Sequence, residues 1–131
     1  MWQNDIAKSY SGTRRERHMY NVLSELNKTT GITGSMVVGN DGIVIAADLD
    51  ESFEGETIGA LAASITGNIQ KSLERLKTSP LKQVTIEADE GKLFFTDTNL
   101  GILVVTTDKQ INIGLIRLEI KNAISKLKLA G

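Results

Sequence analysis

The sequence predicts an α/β domain of the α+β kind: a five-stranded antiparallel sheet packed by helices, in the order α-β-β-α-β-β-β-α. Three observations predict it. Three stretches repeat apolar residues at the three-to-four spacing of a helix. Two apolar runs flank Gly39-Asn40-Asp41-Gly42, where Asn, Asp and Gly tolerate the positive φ of a tight hairpin turn. Three further short strands follow Pro80. A two-strand hairpin and a three-strand meander joined through a helix form one antiparallel sheet.

Taken in order, residues 1–12 are weakly patterned, with Trp2, Ile6 and Tyr10 four apart. They read as an N-terminal extension whose aromatics rest on a domain spanning 13–131; a docking arm for a partner is the less favoured use. Thr13-Arg14-Arg15-Glu16 has the form of a capping box, and Met19, Val22, Leu23 and Leu26 carry the first helix to a stop near Gly31. Thr33–Val38 and Ile43–Leu49 are nearly apolar throughout, which suits a sheet covered on both faces. The second helix runs to about Lys77, with Ile58, Leu61, Ala62, Ile65, Ile69, Leu73 and Leu76 as its apolar stripe, and Thr78-Ser79-Pro80 ends it.

Beyond it, Val84, Ile86 and Ala88 alternate with Gln83, Thr85 and Glu87, the pattern of an edge strand with one polar face. Glu90-Gly91 turns the chain into Lys92–Asp97, and Ile102–Thr106 is apolar on both sides, as a central strand would be. Asn112 is placed to cap a closing helix carrying Ile113, Ile116, Ile120, Ala123, Ile124 and Leu127.

The bulk numbers narrow the function. At 131 residues the chain makes one domain, and a chain of this size buries roughly two thirds of its unfolded surface. A formal net charge of −1 offers no overall field for nucleic acid or anionic membrane. The absence of cysteine removes disulfides, thiol nucleophiles and thiolate metal sites, and fits a reducing cytoplasm. No stretch approaches the roughly 20 apolar residues of a spanning helix, and the start is not a secretory signal.

A search for chemistry finds none. The only histidine, His18, stands beside Arg17 on the first helix and reads as a surface residue. The acidic stretch Asp48, Asp50, Glu51, Glu54 and Glu56 opens like a calcium loop. That loop needs a glycine sixth and an acid twelfth, where this chain has Phe53 and Gly59. Acids before a helix N-terminus favour its dipole without any ligand. The glycine turns match neither phosphate-binding pattern. Arg14, Arg15 and Arg17, and Lys121, Lys126 and Lys128, are interleaved with acids, as solvated helix faces are. No catalytic, cofactor-binding or metal-ligating residue is assigned.

The second helix stands out instead. Gly59, Ala63 and Gly67 fall at i, i+4 and i+8, with Ala60 and Ser64 beside them. A glycine inside a helix costs about 1 kcal/mol relative to alanine, and close approach of another backbone offsets it. With Leu61, Ile65, Ile69, Leu73 and Leu76 assigned to the sheet, the small face is left for a second helix, and a twofold copy is the commonest partner. The edge strand, through Val84, Thr85, Ile86 and Glu87, invites pairing with its own copy.

The ordered set of features resembles the roadblock/dynein light-chain family from about Thr13 to Leu129. It comprises the element order, the hairpin Val37-Val38-Gly39-Asn40-Asp41-Gly42-Ile43-Val44, the small-residue helix Ile58-Gly59-Ala60-Leu61-Ala62-Ala63-Ser64 and the closing Asn112-Ile113-Gly114-Leu115-Ile116-Arg117-Leu118-Glu119. The likeness is to the free-standing prokaryotic members. It implies a roadblock fold of profilin-like architecture and a homodimer through the second helix (Ile58, Gly59, Ala60, Ala63, Ser64, Gly67) and the third strand (Val84, Thr85, Ile86, Glu87), with one continuous sheet of ten strands. It also implies a non-enzymatic regulator, GTPase activator or platform for small Ras-like GTPases. The extension 1–12 departs from the family, and whether Arg14, Arg15 or Arg17 reaches a bound GTPase stays open. Two other functions compete: a structural light chain or assembly scaffold, and a profilin-like sensory domain with a closed apolar pocket between helix and sheet.

Overall fold

A computed structural model describes residues 12–129. The chain folds as α1 (Arg14–Leu26), β1 (Ile32–Val38), β2 (Val44–Asp48), α2 (Gly55–Arg75), β3 (Gln83–Ala88), β4 (Gly91–Thr98), β5 (Gly101–Asp108) and α3 (Ile113–Lys128). This is the α+β order expected. The stripe of Trp2, Ile6 and Tyr10 lies outside the described residues.

The strands form one five-stranded sheet in the order β2-β1-β5-β4-β3, with every neighbouring pair antiparallel. β1 and β5 lie inside the sheet and are apolar on both sides because both sides are covered. On one face α1 and α3 bury Met19, Leu23, Ile116, Ile120 and Leu127 against Val37, Phe94, Leu103 and Val105. On the other, α2 covers Met36, Val38, Phe95, Ile102 and Val104 through Ala62, with Ile58, Ala63 and Ile65 beside it.

Local chemistry sets the boundaries. The Thr13 hydroxyl accepts from the Glu16 amide at 3.2 Å while the Thr13 amide donates to the Glu16 carboxylate at 3.4 Å, the reciprocal capping box. Asn112 accepts from the Leu115 amide at 3.1 Å and opens α3. In the β1–β2 turn Gly42 alone takes a positive φ, +87°, and its amide donates to the Gly39 carbonyl at 2.9 Å. Asn40 and Asp41 keep ordinary backbone angles; Asp41 instead uses its carboxylate to accept from the Ile43 amide at 3.0 Å. The β1–β2 register shifts between Val37 and Val38, β2 starts at Val44, and Ile43 is exposed.

α2 departs from expectation. It ends at Arg75, and the predicted division of its faces does not hold. Gly59 and Ala62 are the buried residues of the helix, whereas Leu61 is 46% exposed and Leu76, just past the helix end, is 69% exposed. The bulky stripe is therefore not simply the sheet-facing side, and the small face is not wholly free.

Candidate functional site: the outer side of α2 and the edge strand

The two glycines of α2 have different surroundings, and the difference defines the site. A Cβ on Gly59 would lie 2.9 Å from the Gly42 carbonyl oxygen and 3.4 Å from both Val38 and Val44. Gly59 is small because the β1–β2 turn of its own chain passes over it. A Cβ on Gly67 would meet nothing within 4 Å. Packing inside the chain accounts for the first glycine and leaves the second unexplained.

Of the helix residues predicted at a contact, the structure uses Ile58 and Gly59 internally: Ile58 packs on the core cluster beneath α2, and Gly59 is buried. Ala63 is half-buried. Ala60, Ser64 and Gly67 are exposed along one side of the helix.

β3 sits at the end of the sheet, paired with β4 and with nothing on its other side among the described residues. Its alternation is resolved by register: Val84 stands opposite Phe95 and Ile86 opposite Leu93, all packed against the cluster under α2. Val84 and Ile86 are half-buried, while Thr85 and Glu87 are exposed. The two predicted contact elements thus share one side of the sheet, at least through the apolar residues of β3.

Between α2 and the inner strands β4 and β5 lies a cleft of about 310 Å³, walled by Ala63, Thr66, Gly67 and Gln70 of the helix and floored by Phe95 and Ile102. Asn40, Pro80, Leu81 and Asp97 complete its rim. Two polar walls are already engaged: Thr66 donates its hydroxyl hydrogen to the Ala62 carbonyl at 2.7 Å, and the Gln70 side-chain oxygen accepts from the Leu81 amide at 2.7 Å. The cleft was not legible in the sequence. Its lining comes from five separate segments that only the fold brings together, and the sequence assigns Gly67 to a helix contact rather than to a cleft.

The remaining candidates take structural places. The His18 ring nitrogen Nε2 donates to the Lys126 carbonyl at 2.8 Å, tying α1 to the end of α3. Arg14, Arg15 and Arg17 are exposed at the start of α1, away from the α2 face of the sheet. In the acidic stretch, the Asp50 carboxylate accepts from the Ser52 amide at 3.3 Å, an ordinary local turn contact. No helix among the described residues is long and apolar enough to cross a membrane.

An antiparallel sheet with helices on both sides, an edge strand open on one side and an outward small-residue helix face together define an α+β module of the open-edged kind. Comparison with known proteins names its family. The family model described as Roadblock/LC7 domain matches residues 19–107, and the chain belongs to that family. A curated relative, Uncharacterized protein MJ0310 of Methanocaldococcus jannaschii, is 47% identical over 107 residues, covering 82% of this chain and 94% of its own length. Among solved structures, Myxococcus xanthus MglB superposes with a TM-score of 0.82 at 19% identity, covering 89% of each chain. An MglB with tetrameric arrangement gives 0.81 at 18% identity, covering 92% of each chain. At that identity the structures share a fold with this chain.

Proposed function

We propose that this chain is a non-enzymatic, cytoplasmic, dimeric regulator or scaffold that binds a small Ras-like GTPase, as an activator or a platform. Membership of the Roadblock/LC7 family supports the GTPase, which the family resemblance implies. The observation that carries the dimer is the coincidence of an open edge strand and an outward small-residue helix on one side of the sheet. Pairing of β3 with its own copy would join two five-stranded sheets into one of ten strands. The tetrameric arrangement of an MglB of the same fold is consistent with self-association. We assign residues 13–131 to the roadblock domain and residues 1–12 to an extension of it.

The test pairs the purified chain with each small GTPase of its host. Binding, together with a change in GTP hydrolysis or nucleotide exchange, is the expected outcome. Failure to bind any of them removes the GTPase from the proposal, and pull-down of motor or filament components in its place would favour a structural scaffold.

The cleft beside Gly67 favours a second function, recognition of a small ligand between helix and sheet. It predicts a ligand-dependent rise in melting temperature in a screen of small molecules. A flat screen rules against it.

A further inference from the structure

We infer that the outer face of the α1–α3 layer is a docking surface for an anionic lipid bilayer, on which the chain lies by adsorption without spanning it.

The two helices concentrate positive charge that the chain as a whole lacks. Arg14, Arg15 and Arg17 stand on α1, and Arg117, Lys121, Lys126 and Lys128 on α3, all of them exposed. Against these seven cations the two helices hold three acids, Glu16, Glu25 and Glu119, in a chain whose formal net charge is −1. Each acid is already engaged. Glu16 closes the capping box, Glu25 pairs with Lys28 at 3.2 Å, and Glu119 accepts from the Asn122 side-chain amide at 3.4 Å. None of the seven cations makes an ion pair with another described residue.

The fold brings the two clusters together. His18 and Lys126 are 108 positions apart, and the hydrogen bond between them ties the start of α1 to the end of α3. Arg14, Arg17 and Asn21 recur at helical spacing opposite the buried Met19, Leu23 and Leu26. Leu118, Lys121, Ser125 and Lys128 do the same opposite the buried Ile116, Ile120 and Leu127. These side chains share one outward face, on the far side of the sheet from α2.

Leucines stand among the cations: Leu118 is 53% exposed and Leu129, just past the end of α3, is 83% exposed. A broad face that mixes basic side chains with leucine matches the boundary of an anionic bilayer. There the lipid charge attracts the cations, and apolar groups enter the headgroup layer. Single-stranded nucleic acid calls for exposed aromatics to stack on, whereas Tyr20 is half-buried and α3 has no aromatic residue. An acidic peptide answers the charge and leaves the leucines without a role. Adsorption through this face keeps α2 and its side of the sheet in water.

Co-sedimentation of the full chain with lipid vesicles tests this. Mixed phosphatidylglycerol and phosphatidylcholine vesicles should carry the chain down at low salt, and pure phosphatidylcholine vesicles should not. High salt should release it. Lys121→Gln with Lys128→Gln should weaken the binding by about 25-fold, at about fivefold for each charge removed. Leu118→Ser should weaken it by about 3- to 10-fold, a loss that a purely ionic contact would not show. Lys71→Gln with Arg75→Gln removes the same charge from α2 and should leave the binding unchanged. All five substituted side chains are exposed, so the fold is retained. No binding to the anionic vesicles at low salt, equal loss from the two lysine and arginine pairs, or no loss with Leu118→Ser overturns the inference. A chain that binds soluble polyglutamate and ignores the vesicles overturns the bilayer and gives the face to an acidic partner.

Discussion

Gly59 and Gly67 lie two turns apart on α2 and answer to different neighbours. At Gly59 the obstruction is the backbone carbonyl of Gly42, which has no rotamer to move. Gly59→Ala should therefore lower stability by about 1–3 kcal/mol, read from the midpoint of urea unfolding. Gly67→Ala should do the reverse under dilute, monomeric conditions and raise stability by up to about 1 kcal/mol, because alanine is the better helix former and the site is open. If both substitutions destabilise alike, Gly67 has a neighbour within the chain after all. This opposition was not legible in the sequence. The spacing of Gly59, Ala63 and Gly67 marks a small-residue face, but the occupant of Gly59 is a turn 17 positions upstream (59 − 42) that reaches it only in the fold. Leu61 misled for a similar reason: an apolar residue at helical spacing reads as core until the angle at which the helix lies on the sheet is known.

The elements themselves were far more legible, because their signals are local. A capping box needs only Thr13 and Glu16, and a hairpin needs only two apolar runs and a turn. Thr13→Ala and Asn112→Ala should each cost about 1 kcal/mol, since each removes the side-chain acceptor of an otherwise unsatisfied helix-terminal amide. Paired urea melts of the two variants would check this; no change in either midpoint would mean that water replaces the cap without loss. The strand alternation Val84-Thr85-Ile86-Glu87 was also enough to mark an edge. Its neighbours supplied what it lacked, since only the register with Phe95 and Leu93 shows which face of β3 looks toward α2. If β3 pairs with its own copy through its free backbone edge, Thr85→Pro at its exposed position should shift the chain toward monomer in sedimentation, because proline brings no amide hydrogen to the joint. A dimer of wild-type affinity would place the joint elsewhere.

For the whole molecule, one sheet carries two separate cores, and adjacent residues of β4 feed both. Phe94 and Phe95 are each almost wholly buried, Phe94 under α1 and α3 and Phe95 under α2. Phe94→Ala should cost about 3–5 kcal/mol, a large part of the stability of a domain this size. Two-sided coverage also explains why β1 and β5 read as unbroken apolar runs while β3 alternates. Here β1 and β5 lie inside the sheet with both faces covered, whereas β3 at the edge turns Thr85 and Glu87 to water.

The strand order has a consequence in time as well as in space. β1 is made before every other strand of the sheet, yet one of its two partners is β5, the last, with Met36 set against Val104. The β1–β2 hairpin must wait for most of the chain before its inner edge is satisfied, whereas β3, β4 and β5 meet by short turns soon after they are made. Joining the two halves of the sheet through β1 and β5 closes a long loop, the step that slows folding in chains rich in distant contacts. In stopped-flow refolding, Val37→Ala and Val105→Ala should act mainly on the folding rate, while substitutions in β3 should act mainly on unfolding.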